Sequence, residues 1–154
     1  MSRILVAYFS TGGTTKKAAE KMAQAAHGDL FEIVPQQPYT QKDLDWNDPK
    51  SRSSLEMKDK SSRPAICGKI ENMQEYDTIL LGFPIWWYVA PTIVNTFLEQ
   101  YDLSGKKIVL FATSGSSGMG NTLRELKESA PNAEFIAAKR IEVHTSEKEM
   151  KKWL

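Results

Sequence analysis

Cysteine is almost absent from this chain. Cys67 stands alone, so no intrachain disulfide can form, and a reducing compartment is the natural setting. An excess of charge of one sign is lacking too. Lys and Arg number 20 against 19 Asp and Glu, a net charge of +1, which leaves no electrostatic footprint for nucleic acid or an acidic membrane surface. Histidine is scarce, and His27 and His144 show no metal-ligand spacing; both are read as surface residues and no metal is expected. The N-terminal apolar run, residues 4–9, is too short for a signal-peptide core or a transmembrane helix. A cytoplasmic protein is therefore expected, with neither membrane nor nucleic acid among its partners. Repeats, low-complexity tracts and domain linkers are missing as well. What remains is 154 residues, 41% of them hydrophobic, which is expected to form a single domain over residues 1–154 with a real core.

Residues 4–9 form a short, nearly continuous apolar run of the kind expected for a strand buried on both faces. A helix follows over residues 14–27, where Ala18, Met22 and Ala25 recur at helical spacing and Gly28 marks a stop. Further strands are expected at residues 30–34, 78–83 and 107–113, with a weaker fifth at 134–138. Pro91 opens a helix whose stripe is Ile93, Val94, Phe97, Leu98 and Tyr101. Met119, Leu123, Leu126 and Ala130 make another stripe, stopped by Pro131. A last helix is expected near Ser146, where Ser146 and Glu149 have capping-box spacing, with Met150, Trp153 and Leu154 on its buried side. The polar stretch 35–76 holds one helix, near residues 49–58, and is long enough to have a purpose beyond linking. Alternating strands and helices imply a parallel sheet covered on both faces.

In such sheets ligands bind beyond the carboxyl ends of the strands, where strand order reverses. Three loops of unusual composition occupy those ends. The first, residues 10–15, suits a phosphate: a helix begins at Thr14 or Thr15, its unpaired N–H groups and dipole favour an anion, Gly12 and Gly13 allow close approach, and Ser10, Thr11, Thr14 and Thr15 add hydroxyls. An ordinary capped helix after a tight turn would use the same residues. The second, residues 84–90, carries Trp86, Trp87 and Tyr88 and suits a flat heterocycle. Adjacent tryptophans do not easily both point into a core, so at least one faces a site or partner. The third, residues 113–121, is small and polar, fit to edge a ring's polar rim or to serve as a flexible loop. Together they suit a ligand with a phosphate at one end and an aromatic ring system at the other.

Other phosphate chemistries are excluded by spacing. A nucleoside-triphosphate loop needs Lys directly after its glycine, yet Gly13 is followed by Thr14-Thr15-Lys16, and the dinucleotide fingerprint G-x-G-x-x-G is absent. A cysteine phosphatase would want Arg six residues after Cys67, where Met73 stands. A phosphoacceptor receiver would want acidic residues after the first strand, where the chain has Ser10.

The segments Tyr8-Phe9-Ser10, Gly13, Thr15, Tyr76-Asp77, Gly82-Phe83-Pro84-Ile85-Trp86-Trp87, Phe97-Leu98, Leu103-Ser104-Gly105-Lys106 and Thr113-Ser114-Gly115 resemble the flavodoxin-like family, most closely its bacterial short-chain members with a Pro-x-Trp-Trp loop. The likeness covers nearly the whole chain. It implies an α/β, three-layer flavodoxin-like sandwich on a five-stranded parallel sheet of order 2-1-3-4-5, with flavin mononucleotide (FMN) at the switch point, a rule for which flavodoxin is itself an example. By position, Ser10, Thr11, Gly13, Thr14 and Thr15 would hold the phosphate, Pro84, Ile85, Trp86, Trp87 and Tyr88 would line the ring, and Ser114, Gly115, Ser117 and Gly118 would border its other edge. Tyr39, Glu56 and Arg63-Pro64 resemble positions beside the flavin loop and carry no assigned role. The phosphate loop departs from the family's Ser-x-Thr-Gly-Asn-Thr, with Gly12 at the usual Thr and Thr14 at the usual Asn. The balanced charge departs from the acidic surface by which electron-carrier flavodoxins steer to basic partners.

No side chain stands out as a catalytic acid or base; the flavin would carry the redox chemistry. The expected function is a flavodoxin-type redox protein passing electrons to a partner protein or small-molecule acceptor. Beside it stand an NAD(P)H-dependent quinone or flavin reductase of the same fold and a flavin-free binding or scaffold domain. The sequence leaves the oligomeric state open.

Overall fold

A computed structural model describes residues 3–11, 13–45, 47–86, 89–113, 122–141 and 148. The expected last helix, with Ser146, Glu149, Met150, Trp153 and Leu154, lies outside them. In chain order the elements are β1 (Ile4–Tyr8), α1 (Thr14–Ala26), β2 (Asp29–Glu32), β3 (Val34–Pro35), α2 (Arg52–Lys58), β4 (Ile66–Cys67), β5 (Thr78–Pro84), α3 (Thr92–Glu99), β6 (Lys107–Thr113), α4 (Thr122–Ser129) and β7 (Glu134–Ile141). Five strands form one parallel sheet in the order β2-β1-β5-β6-β7. Counted along the main sheet alone, this is the expected 2-1-3-4-5.

The apolar runs read as strands because both of their faces are covered. Val6, Tyr8, Leu80, Val109 and Phe111 pack against Ala18, Ala19, Met22 and Ala25 of α1. On the opposite face Leu5, Ala7, Ile79, Leu81, Ile108 and Leu110 pack against α3 and α4. Small alanines bring α1 close to the sheet, while Ile93, Val94, Phe97 and Leu98 of α3 are fully buried. These are the three layers. Among the described residues no helix is long and apolar enough to cross a membrane.

Local expectations changed in four places. The strand expected over residues 30–34 is two pieces: Ile33 donates its N–H to the Tyr8 carbonyl at 2.7 Å, and Val34 then turns away to pair antiparallel with Cys67. The end of α1 falls where expected, but the left-handed residue is His27, at φ 54°. Gly28 is needed instead for close approach, because a Cβ there would stand 2.9 Å from the Ile4 carbonyl oxygen. The fifth strand runs on to Ile141. In α4, Leu123 is 41% exposed while Thr122 and Leu126 are buried; Asn95 of α3 bonds the Glu125 carbonyl and the Ser129 hydroxyl, which fixes the rotation of the helix and turns Leu123 outward.

Between β3 and β4, residues 36–65 make an excursion whose ends meet. Val34 faces Cys67, Pro35 faces Ile66, and Gln36 donates to the Ala65 carbonyl at 2.9 Å. The helix expected near residues 49–58 is α2, capped by Ser51, whose side chain accepts from the Ser54 N–H. Ion pairs Arg63–Glu99 at 3.0 Å and Lys60–Glu125 at 2.5 Å tie the excursion to α3 and α4.

Candidate functional site

The strands of the main sheet run parallel, so the loops after β1, β5 and β6 leave from one edge. Between β1 and β5 the chain order reverses, and the crevice at that reversal is the expected ligand position. The excursion starts from the same edge, just beyond β2.

After β1 the chain turns through Ser10 and Thr11 into α1. The Ser10 hydroxyl oxygen accepts the Gly13 N–H at 3.1 Å, which shapes the loop from within. Gly13 adopts φ 87°, a conformation costly for a residue with a Cβ, and the space a Cβ would take is open. The helix begins with no side-chain cap and no acidic residue in its first turn. The Ser10 hydroxyl takes one of its leading N–H groups, that of Gly13, the N-cap glycine offers the others no side chain, and the dipole there favours an anion by about 0.3–1 kcal/mol, up to about 2 in partly buried geometry. Ser10 and Gly13 are half-buried, and Thr11 and Thr14 are exposed. Thr15 is 2% exposed, and its hydroxyl pairs with that of Thr113 at 2.7 Å.

Pro84 at the end of β5 and Ile85 and Trp86 just past it are half-buried. Trp86 and Val89 exchange both backbone hydrogen bonds, at 2.8 and 3.1 Å. The Trp86 ring meets Phe9 edge-on at 5.9 Å and Tyr39 at 5.6 Å, and Phe9 meets Tyr39 at 5.7 Å. Trp87 and Tyr88 lie outside the described residues, as do Ser114, Gly115, Ser117 and Gly118.

Thr113 joins the three loops. Its hydroxyl holds Thr15 of the first, its carbonyl accepts the Ile85 N–H of the second at 3.1 Å, and the third begins after it. Thr113→Val should cost about 1–3 kcal/mol, the penalty for leaving the buried Thr15 hydroxyl without its partner. Adding Thr15→Val should recover most of that loss, since removing both partners is nearly neutral. Thermal unfolding of the three proteins decides it; equal losses in the single and double variants would show that the pair does not couple the loops.

Sequence reasoning gave no role to Tyr39, Arg52, Glu56 or the Thr113 side chain. Tyr39 donates its hydroxyl to Glu56 at 2.5 Å, Arg52 bonds the other Glu56 oxygen at 3.0 Å, and the Arg52 guanidinium lies 3.8 Å from the Tyr39 ring centroid. Burial, and then the bond to Glu56, pushes the Tyr39 phenol well above its ordinary range. The one local signal was the i,i+4 spacing of Arg52 and Glu56 on a short helix.

A sequence model described as flavodoxin matches residues 3–154. A protein of Bacteroides eggerthii DSM 20697, classed provisionally as a flavoprotein, is 51% identical; the match covers 100% of this chain and 96% of that one at a TM-score of 0.95. Another from Bacteroides uniformis ATCC 8492, classed the same way, is 47% identical over 99% of this chain and 97% of that one, with a TM-score of 0.93. A Lactobacillus acidophilus NCFM flavoprotein solved in complex with FMN shares the fold at 24% identity, with 99% of each chain covered and a TM-score of 0.78. No curated protein matches the chain.

Proposed function

This chain belongs to the flavodoxin family, and from that premise we propose that it binds FMN where β1, β5 and β6 end together and carries electrons through it. The observation that carries the proposal is the uncapped start of α1 across the switch point from a half-buried Trp86. One supplies backbone donors and a helix dipole for a dianion; the other supplies a flat apolar surface. The FMN complex of the same fold supports the choice of nucleotide.

The residues present fit the group. The backbone N–H groups that open α1, with the hydroxyls of Ser10, Thr11 and Thr14, would hold the phosphate. Gly13 would let it approach. Thr15 sits beneath and ties the loop to β6. Ile85 and Trp86 would pack against the ring and exclude water, with Trp87, Tyr88 and the rim residues Ser114, Gly115, Ser117 and Gly118 completing the surround. When bound, the flavin supplies the redox chemistry. The chain's part is to orient it and set its surroundings. A cytoplasmic setting, suggested by the single cysteine, and a redox protein or small acceptor as partner belong to the same proposal.

Titration of the purified protein with FMN should give saturable quenching of flavin fluorescence; no binding would overturn the proposal and leave a flavin-free binding domain. Riboflavin, lacking the phosphate, should bind at least about a hundredfold more weakly, because each hydrogen bond to a charged group contributes about 1.5–3 kcal/mol and 1.4 kcal/mol is tenfold. Equal affinities would place the phosphate away from α1. The excursion beside Trp86 favours one second reading, an NAD(P)H-dependent quinone or flavin reductase with its donor held there. Steady-state oxidation of reduced nicotinamide by the flavin-loaded protein distinguishes the two.

A further inference from the structure

Three rings meet edge to face at the site edge, with interplanar angles of 65°, 80° and 74°, and they differ in how they are held. Phe9 is 1% exposed and belongs to the sheet's core. Trp86 is half-buried; the bridge to Val89 fixes its backbone but leaves the plane of its indole to its neighbours. Tyr39 alone comes from the excursion, outside the sheet and its helices, and it touches both of the others.

Tyr39 is itself braced on two sides. Its hydroxyl donates to Glu56 and its ring face receives Arg52. Arg52 in turn bonds Glu56 at 3.0 Å and the Gln37 carbonyl at 2.6 Å. The two charged side chains are only 21% and 14% exposed, so each loses hydration that its partner must replace. An excursion that merely connected strands would have no need of a desolvated ion pair clamped to a tyrosine. Removing any member strands another: without Glu56, the Tyr39 hydroxyl and Arg52 both lose a partner in a half-buried place.

We propose that Tyr39, braced by Glu56 and Arg52, is a positioning residue that fixes the plane of the Trp86 indole and thereby the binding and electronic surroundings of a flavin ring. This inference rests on the flavin proposal above. It assigns the excursion a task at the ring end of the site and none at the phosphate end, which makes the two ends separable by experiment.

The test uses the full chain and three variants: Tyr39→Ala, Tyr39→Phe and Glu56→Gln. FMN affinity, the visible absorption of bound FMN and the affinity for inorganic phosphate are read for each. Tyr39→Ala should weaken FMN about tenfold, the upper range of an edge-to-face ring contact, shift the flavin absorption bands and leave inorganic phosphate affinity unchanged. Tyr39→Phe keeps the ring and should restore most of the affinity. Glu56→Gln keeps an acceptor for the hydroxyl but breaks the ion pair, and should shift the bands as well. Should Tyr39→Ala fail to fold, the Glu56→Gln spectrum decides: a shift supports the brace and an unchanged spectrum overturns it. FMN bound by the variants with unaltered affinity and spectrum would overturn the positioning role while the flavin proposal stands. Parallel loss of FMN and phosphate would also overturn it, since that marks a general loosening. Failure of the unaltered protein to bind FMN would overturn the flavin proposal and this inference together.

Discussion

Phe9→Ala should lower the unfolding free energy by about 3–5 kcal/mol, the usual cost of deleting a fully buried phenylalanine. Phe9 is 1% exposed and follows β1, where its N–H still donates to the Gly82 carbonyl at 2.9 Å. Its ring is the inner support of both Tyr39 and Trp86. A domain's whole stability is about 5–15 kcal/mol, so the variant should sit close to its unfolding threshold. Urea denaturation measures the loss. Flavin at about a hundred times its dissociation constant should return about 2.7 kcal/mol to the unaltered protein and less to the variant, whose Trp86 has lost its backing. A loss below about 1 kcal/mol, outside the range for such truncations, would mean that the three-ring cluster collapses onto the vacancy and that Phe9 does not support the site.

Gly82→Ala is expected to be nearly as damaging, for the opposite reason. Gly82 lies mid-strand in β5, level with Tyr8 of β1 and Phe111 of β6. A Cβ there would stand 2.2 and 2.3 Å from two ring atoms of Phe111, and Phe111 is fully buried. The ring cannot swing into solvent, so the strain must spread through the face of the sheet that α1 covers. Overpacking of this kind costs about 1–3 kcal/mol and occasionally more; with so deep an overlap the upper end is expected. Shrinking the obstacle should help. In a double-mutant cycle with Phe111→Leu, the pair should be less destabilised than the sum of the singles by at least about 1 kcal/mol, within the range found for residues in contact. Strict additivity would show that Gly82 is required for some reason other than Phe111.

The sheet was legible because its central strands are buried on both faces. Residues 4–8, 78–84 and 107–113 have to be apolar almost throughout, and that pattern survives in the bare sequence. The edge strand β7 runs past residue 138 because Lys139 and Arg140, both exposed, end the apolar run but not the pairing with β6. The break after β2 was invisible for a different reason: Val34 leaves the sheet to meet Cys67, a partner far along the chain, and no local pattern announces a distant partner. In α4 Leu126 and Ala130 are buried as expected, but a hydrogen bond from Asn95 fixes the rotation and Leu123 yields its place to Thr122.

The candidate site divides along the same line. Hydroxyls and glycine after β1 and aromatics after β5 are local compositions, so both loops could be found from the sequence, though Trp87, Tyr88, Ser114, Gly115, Ser117 and Gly118 lie outside the described residues. Thr113 was noticed only as the start of a polar loop; its bond to Thr15 spans two loops. Tyr39, Arg52 and Glu56 sit in a polar stretch of weak periodicity, where only folding brings the tyrosine onto the tryptophan.

The paired neck of the excursion makes the wall beside Trp86 an interchangeable part. Because Val34 and Pro35 lie against Cys67 and Ile66, the chain departs and returns at one place, and what is threaded between meets the rest of the molecule through side chains such as Tyr39, Lys60 and Arg63. Closing a loop twice as long costs only about 0.6 kcal/mol more. A different insert grafted at this neck would meet the same flavin loop with different side chains. What stands beside Trp86 can thus be rewritten there while the main sheet keeps its strand order.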